Sequence, residues 1–216
     1  MKRRDFSATL LGAGLAASAT ITPSQVLAQG KPITEADYKR VDPPVPTLPP
    51  GKVEVIEFFW YGCPHCFAFE PLLEAWTKKL PADVQFHRIP VAFSAAFAIH
   101  QRIFYTLETL GKLDTLHAKV FSAIHTDHQR LDKEDEVAAF MAKNGVDKAK
   151  FAEVFNSFCV NTRVKQASRL ADAYKIDGVP TLAIGGRYTT SGTQAGSPER
   201  ALLTADQLIQ QTRKGG

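Results

Sequence analysis

Cysteine is scarce in this chain. Three residues, Cys63, Cys66 and Cys159, are too few for a disulfide scaffold. A closed zinc site, which needs about four ligands, is also excluded, because no second C-x-x-C or spaced Cys/His pair accompanies Cys63 and Cys66. His125 and His128 fall at the end of a predicted helix, where solvation is expected. Charge of one sign is not in excess either. The net charge is +4, and Lys2, Arg3, Arg4 and Asp5 supply +2 of it, three minus one. The remainder argues for neither nucleic acid nor an anionic membrane surface.

Long apolar runs are missing too. Residues 6–21 are uncharged but Ala/Gly/Thr-rich and short for a membrane span. Basic Lys2, Arg3 and Arg4 precede them and Val26-Leu27-Ala28 follows, so residues 1–28 read as a signal peptide cut after Ala28, with a membrane anchor as the alternative. Arg3-Arg4-Asp5-Phe6 is partly like a twin-arginine signal. Ser7 and Ala8 replace its usual Leu and Lys, so the export route stays open. Either route leads to a compartment where disulfides persist. Residues 29–50 lack periodicity and hold five prolines in the nine residues 42–50. That composition predicts an extended polyproline arm leading into the first strand.

What is present centres on residues 53–69, VEVIEFFWYGCPHCFAF. A β-branched and aromatic run ends at Gly62, C-P-H-C follows, and then a helical pattern through Phe67, Leu72, Leu73 and Trp76. Pro64 suits the first helical position, where its missing N–H costs nothing. The free N–H groups and dipole of that helix end favour a thiolate on Cys63. Disulfide exchange needs an accessible thiolate and a second thiol to resolve the mixed disulfide. On this reading Cys63 is the exposed nucleophile and Cys66, one turn in, the shielded resolving thiol. His65, between them, lends positive charge or a hydrogen bond to Cys63. A structural staple is disfavoured, because closing a four-residue ring gains little.

Downstream, residues 84–91 read as a strand. Helical stripes follow at Ala96, Ile99, Ile103, Leu107 and Leu110, and at Leu113, Leu116, Val120 and Ile124. Asp132 and Asp147 are expected to cap two further helices. Residues 161–174 form a longer helix, 181–184 and 187–190 a hairpin about Gly185-Gly186, and Ser197-Pro198 opens a last helix.

Two segments of this sequence, VIEFFWYGCPHCFAFEP and Val179-Pro180-Thr181, resemble the DsbA family of bacterial periplasmic thiol:disulfide oxidoreductases. Everything after about residue 50 fits that family in order. The resemblance implies an α/β, thioredoxin-like fold with an inserted all-helical subdomain. Residues 51–92 and 159–216 would form the thioredoxin-like domain, 93–158 the helical insertion and 29–50 the arm. It implies a cis Pro180 facing the C-P-H-C, with Val179 offering backbone groups to an extended substrate. It places an acidic residue at Glu57, a candidate proton relay to Cys66, with Glu70 and Arg88 at neighbouring charged positions. The expected activity is oxidation of exported proteins in the periplasm. The Cys63–Cys66 disulfide needs no further cofactor, and re-oxidation comes from a DsbB-like membrane oxidase that passes electrons to quinone. A monomer is expected. Phe59, Trp60, Tyr61 and Phe67, apolar side chains near the active site, are candidates for gripping unfolded chains, with core packing of several of them as the alternative. Cys159 departs from the usual aliphatic residue, and its apolar neighbourhood, 155–160, reads as burial of an inert thiol. Two other classes stay open: an isomerase or reductant, although residues 29–50 leave no room for a DsbC-like dimerisation domain, and a metal carrier using Cys63, His65 and Cys66.

Overall fold

The computed structural model describes residues 31–47 and 51–214. The expected signal peptide, with its cut after Ala28, lies outside them. A 3-10 turn at Glu35–Asp37 opens on Thr34, whose backbone N–H and hydroxyl donate to the Asp37 carboxylate at 2.6 and 3.0 Å. Strand β1, Lys39–Arg40, follows and pairs antiparallel with Tyr188 and Thr189. The stretch expected only as an extended arm therefore contributes an edge strand. The chain bends at Asp42-Pro43, whose peptide bond is cis, and on either side of the bend the N–H groups of Val41 and Val45 donate to the carbonyls of Arg187 and Gly186 at 2.8 and 2.9 Å. Arg200 pins the turn with hydrogen bonds to Asp37 at 2.7 and 2.9 Å.

Strand β2, Val53–Phe59, leads into helix α1, Pro64–Thr77, and then strand β3, Val84–Pro90. Helices α2 (Ala98–Thr109), α3 (Leu113–His125), α4 (Glu134–Lys143) and α5 (Lys148–Phe155) come next, followed by α6 (Phe158–Ala173). Strands β4 (Thr181–Ile184) and β5 (Tyr188–Thr190), a short helix α7 (Gly192–Ala195) and helix α8 (Pro198–Lys214) complete the order. The sheet runs β1-β5-β4-β2-β3, with β2 parallel to β3 and antiparallel to β4. Central β2 is covered on both faces, so every residue of it except Glu54 is buried. Each such phenylalanine, Phe58 or Phe59, gains about 1.5–3 kcal/mol by leaving water.

Three apolar clusters hold the layers. Phe69, Leu73 and Trp76 of α1 meet Leu202, Leu208 and Ile209 of α8 against the sheet. Ala171 and Tyr174, at the end of α6, pack on Ile56, Phe58 and Ala183. Phe59, Tyr61 and Cys66 join Phe104, Phe121, Met141 and other side chains of the helical region. That last cluster seats the helices directly against the C-P-H-C end of the sheet.

Helix starts differ from expectation in two places. Helix α4 begins at Glu134 with Lys133 at its cap position, while the Asp132 carboxylate is taken up by Arg130 at 2.7 Å. Helix α6 begins at Phe158, because Ser157 accepts from the Val160 N–H at 3.2 Å and starts it three residues early. Asp147 does cap α5, accepting from the Lys150 N–H at 2.7 Å. The early start of α6 turns Val160 inward and Phe158 and Cys159 outward, and Phe158 is 86% exposed. Cys159 is exposed, not buried. The apolar character of 155–160 is real, but only Phe155 and Val160 of its ends point into the core.

Candidate active site

The way α1 begins builds the site. Cys63 occupies the cap position in an extended conformation, φ −88° and ψ 116°, and Pro64 follows in the first turn. The Cys63 N–H is spent on the Trp60 carbonyl at 2.9 Å, and the Cys63 carbonyl accepts from Phe67 N–H at 3.1 Å. Its sulfur is left facing the free N–H groups of the helix end. Pro64 and His65 are exposed on the surface of that turn, and Cys66 points inward with no exposure.

Cys63 itself is 7% exposed, so the freely accessible nucleophile expected from its terminal position is a recessed one. The cover comes from the loop between α6 and β4. The Val179–Pro180 bond is cis, and the Cys63 thiol donates to the Val179 carbonyl at 3.5 Å. Beside this contact runs a groove of about 550 Å³, lined by His65, Phe69, Val179, Pro180, Ser191 and Gln194 among others.

The two thiols are made unequal. Cys63 is lowered from 9.0 to about 6, chiefly by a hydrogen bond from the Cys66 side chain; partial burial opposes, and the N–H groups of Cys66 and His65 and the His65 ring assist. Burial pushes Cys66 far up, and the hydrogen bond and charge of Cys63 and the charge of Glu57 push the same way. At neutral pH the pair is a thiolate beside a thiol.

Glu57 lies in the middle of β2 with no exposure. Its Oε2 accepts from Arg88 Nε at 3.1 Å, while Oε1 has no hydrogen-bond partner. Arg88, on β3 opposite Glu57, also donates through Nη2 to Glu70 of α1 at 3.1 and 3.4 Å. Burial pushes Glu57 up to about 8, with the Glu70 charge adding and Arg88 opposing. Burial would raise Glu70 as well, but His117 and Arg88 overcome it and hold Glu70 below its ordinary value. The family resemblance implied that Glu57, Glu70 and Arg88 are neighbours, and the fold joins them through one guanidinium.

One member of this cluster, His117, escaped sequence reasoning, and Tyr61 joins it in a role not expected of it. His117 of α3 lies 3.4 Å from Glu70 through Nε2 and 2.7 Å from the Tyr61 hydroxyl through Nδ1. The signal was available, since His117 stands four residues after Leu113 and three before Val120, on the inward stripe of its helix. Tyr61 and Phe59 are fully buried and belong to the core, which removes both from the side chains available to clients; Trp60 and Phe67 remain partly accessible. His125 is half-buried. It donates through Nε2 to the Tyr61 carbonyl at 2.8 Å and stacks on Phe67 at 5.0 Å. His128 is exposed. Among the described residues no three acidic, His or Cys side chains converge as a metal-ligand set.

The chain has relatives. A family model described as a DSBA-like thioredoxin domain matches residues 75–198. The thiol:disulfide interchange protein DsbA of Pseudomonas aeruginosa is 46% identical over 177 residues, which span 82% of this chain and 84% of that protein. The protein of the same name from Bordetella parapertussis is 46% identical over 215 residues, 99% of this chain and 100% of the relative. A crystal structure of Pseudomonas aeruginosa DsbA matches with a TM-score of 0.80 at 45% identity, covering 83% of this chain and 93% of that one.

Proposed function

Because the chain belongs to the DsbA family and is a thiol:disulfide oxidoreductase, we propose that Cys63 and Cys66 are its reactive pair and that it oxidises exported proteins in the periplasm. The observation that carries this assignment is the environment of Cys63: a sulfur at a helix start, lowered to about 6, and 3.5 Å from the Val179 carbonyl beside cis Pro180. The Cys66 thiol and the N–H groups of the helix start stabilise that sulfur as thiolate and make it a good leaving group, so its disulfide passes readily to another thiol.

The cycle starts from the Cys63–Cys66 disulfide. A client thiolate attacks the Cys63 sulfur, the S–S bond breaks, and its electron pair leaves on Cys66. Glu57 gives its carboxyl proton to that sulfur, either directly or through water, which suits a buried carboxyl still protonated at neutral pH. A second client thiolate then attacks the client sulfur of the mixed disulfide and expels Cys63 as a thiolate. The client gains one disulfide, and the protein keeps a dithiol with Cys66 protonated and Cys63 ionised. Electrons move only between sulfurs, so the pair needs no added cofactor. His65 and Pro64 shape the turn and the charge at Cys63, and Val179 and Pro180 hold an extended client segment by backbone pairing along the adjoining groove. Residues 51–92 and 159–216 carry the chemistry, the helical 93–158 covers it, and a DsbB-like membrane oxidase restores the disulfide. No helix of the described residues is long and apolar enough to cross a membrane.

Trapping tests the roles. Cys66→Ala should accumulate mixed disulfides with client thiols on Cys63, visible on non-reducing gels, and Cys63→Ala should abolish thiol oxidation. Adducts on Cys66 in the Cys63→Ala protein, with none in the Cys66→Ala protein, would reverse the assignment.

A further inference from the structure

We propose that His117 is a positioning residue that decides which of the two carboxyls sharing Arg88 carries a proton: by hydrogen-bonding Glu70 it fixes Glu70 as the anion and leaves the proton on Glu57. The proposal rests on the relay reading of Glu57 given above and adds the reason why Glu57, and not Glu70, is the acid.

One guanidinium serves two carboxyls here. Arg88 reaches Glu57 at 3.1 Å through Nε and Glu70 at 3.1 Å through Nη2. Ionising both would leave one negative charge uncompensated under cover, and a buried unpaired charge is costly. One proton is therefore retained, and the donors available to each carboxyl decide where. Glu57 receives a single donor and its Oε1 receives none. Glu70 receives Arg88 on both oxygens and His117 on Oε1. Each hydrogen bond to the charged form favours ionisation, so the proton sits where donors are fewer.

The direction of the His117 bond follows from Tyr61. The phenol is fully buried, and its hydroxyl meets His117 Nδ1 at 2.7 Å. Burial keeps the phenol protonated, and His117 Nδ1 is the one hydrogen-bond partner of that hydroxyl among the described residues, so the O–H donates there rather than stay unpaired under cover. Nδ1 must then accept, which places the ring proton of neutral His117 on Nε2, facing Glu70. Burial also lowers His117 itself, which keeps the ring neutral. The ionisable groups facing His117 are Glu70 and Glu74 from α1, Arg88 from β3 and Tyr61 from the turn after β2. The rings of Phe59 from β2, Phe104 from α2 and Phe121 from α3 itself pack on it, and its remaining edge borders a groove shared with Glu70 and Arg88. The groups acting on Glu57 are Arg88, Glu70 and Cys66.

The experiment is a carboxyl titration of the full protein carrying labelled glutamate side chains, with the two resonances assigned by Glu57→Gln and Glu70→Gln. In the unsubstituted protein Glu57 should titrate above Glu70. His117→Phe keeps an aromatic ring but offers no hydrogen bond; the gap should close by at least about one unit, a tenfold change in the ratio of protonated to ionised carboxyl. His117→Gln, which restores a donor, should return most of the gap. An unchanged gap in His117→Phe would overturn the proposal. Should that variant fail to fold, the ring nitrogens of unsubstituted His117 decide: a proton on Nε2 supports the assignment and a proton on Nδ1 refutes it. The relay reading fails separately. If Glu57→Gln leaves the pH profile of client oxidation unchanged while His117→Phe still moves the two titrations, His117 places the proton as proposed and the relay role of Glu57 is lost.

Discussion

The charge on Cys63 is open to direct measurement. Its thiol is held at about 6 against 9.0 for an unperturbed thiol. A depressed value stabilises the folded dithiol form: the contribution is full above about pH 9 and vanishes as pH falls below about 6. At about pH 7 the linkage gives roughly 1.4 kcal/mol, reduced to about 1 kcal/mol by solvent at the mouth of the site. The disulfide form has no thiolate and gains nothing, so this amount raises the reduction potential of the pair by about 20 mV. Cys66→Ala removes the largest cause, a hydrogen bond to a charged sulfur that contributes about 1.5–3 kcal/mol. At about 1.4 kcal/mol per unit, Cys63 should then titrate about 1 to 2 units higher. His65→Pro removes a backbone N–H and the imidazole together, and should both raise the titration and make the pair less oxidising. The assay is thiolate absorbance and alkylation rate against pH, in a Cys159→Ala background so that a single sulfur reports. A Cys66→Ala protein still titrating at about 6 would show that the Cys66 hydrogen bond is not the source. Titration near 9 in the parent would remove the leaving-group argument altogether.

Glu57 should leave its own mark on stability. Its folded value is raised to about 8 from 4.5, so the folded state holds the proton more tightly and stability should fall as pH rises from about 4.5 to about 8; Glu57→Gln should flatten that slope in thermal melts. Gly186 sits at φ +69°, and a Cβ there would lie 2.0 Å from the Val45 carbonyl oxygen. Gly186→Ala should therefore cost about 1–3 kcal/mol, read as a lower urea midpoint, and an unchanged midpoint would mean that residues 41–45 dock more loosely than drawn. Cys159 is exposed, so Cys159→Ala should change stability by no more than about 0.5 kcal/mol. Native-state alkylation should label Cys159 and spare Cys66; the reverse pattern would contradict the outward turn of α6.

Local chemistry was legible wherever residue type and conformation are tied together. Pro64 after a strand and a glycine marks a helix start, and Thr181–Ile184 with Gly185-Gly186 marks a hairpin. What stayed hidden depends on long-range partners. A two-residue strand at Lys39–Arg40 has no periodicity to detect; it exists because Tyr188 and Thr189 lie alongside. The recessed position of Cys63 is set by Val179, 116 residues away. Cys159 was misplaced because a one-turn change in where a helix begins reverses which of two neighbouring apolar residues faces inward. His117 carried a usable signal in its inward register, but its partners Tyr61 and Glu70 come from elsewhere in the chain.

The short β1 strand has a consequence for a protein that handles unfolded chains. An open sheet edge is a template on which any extended segment can pair. Here one edge ends in two residues, both charged, Lys39 and Arg40, and Pro43 and Pro44 follow three and four positions on. The other edge, β3, carries His87 and Arg88 and stops at Pro90, which has no N–H to offer. On the proposed function, extended clients are discouraged from annealing along either margin, which leaves the proposed dock at Val179–Pro180 beside Cys63 as the place for them. The catalyst can hold an aggregation-prone chain briefly, at one spot, without becoming part of the aggregate.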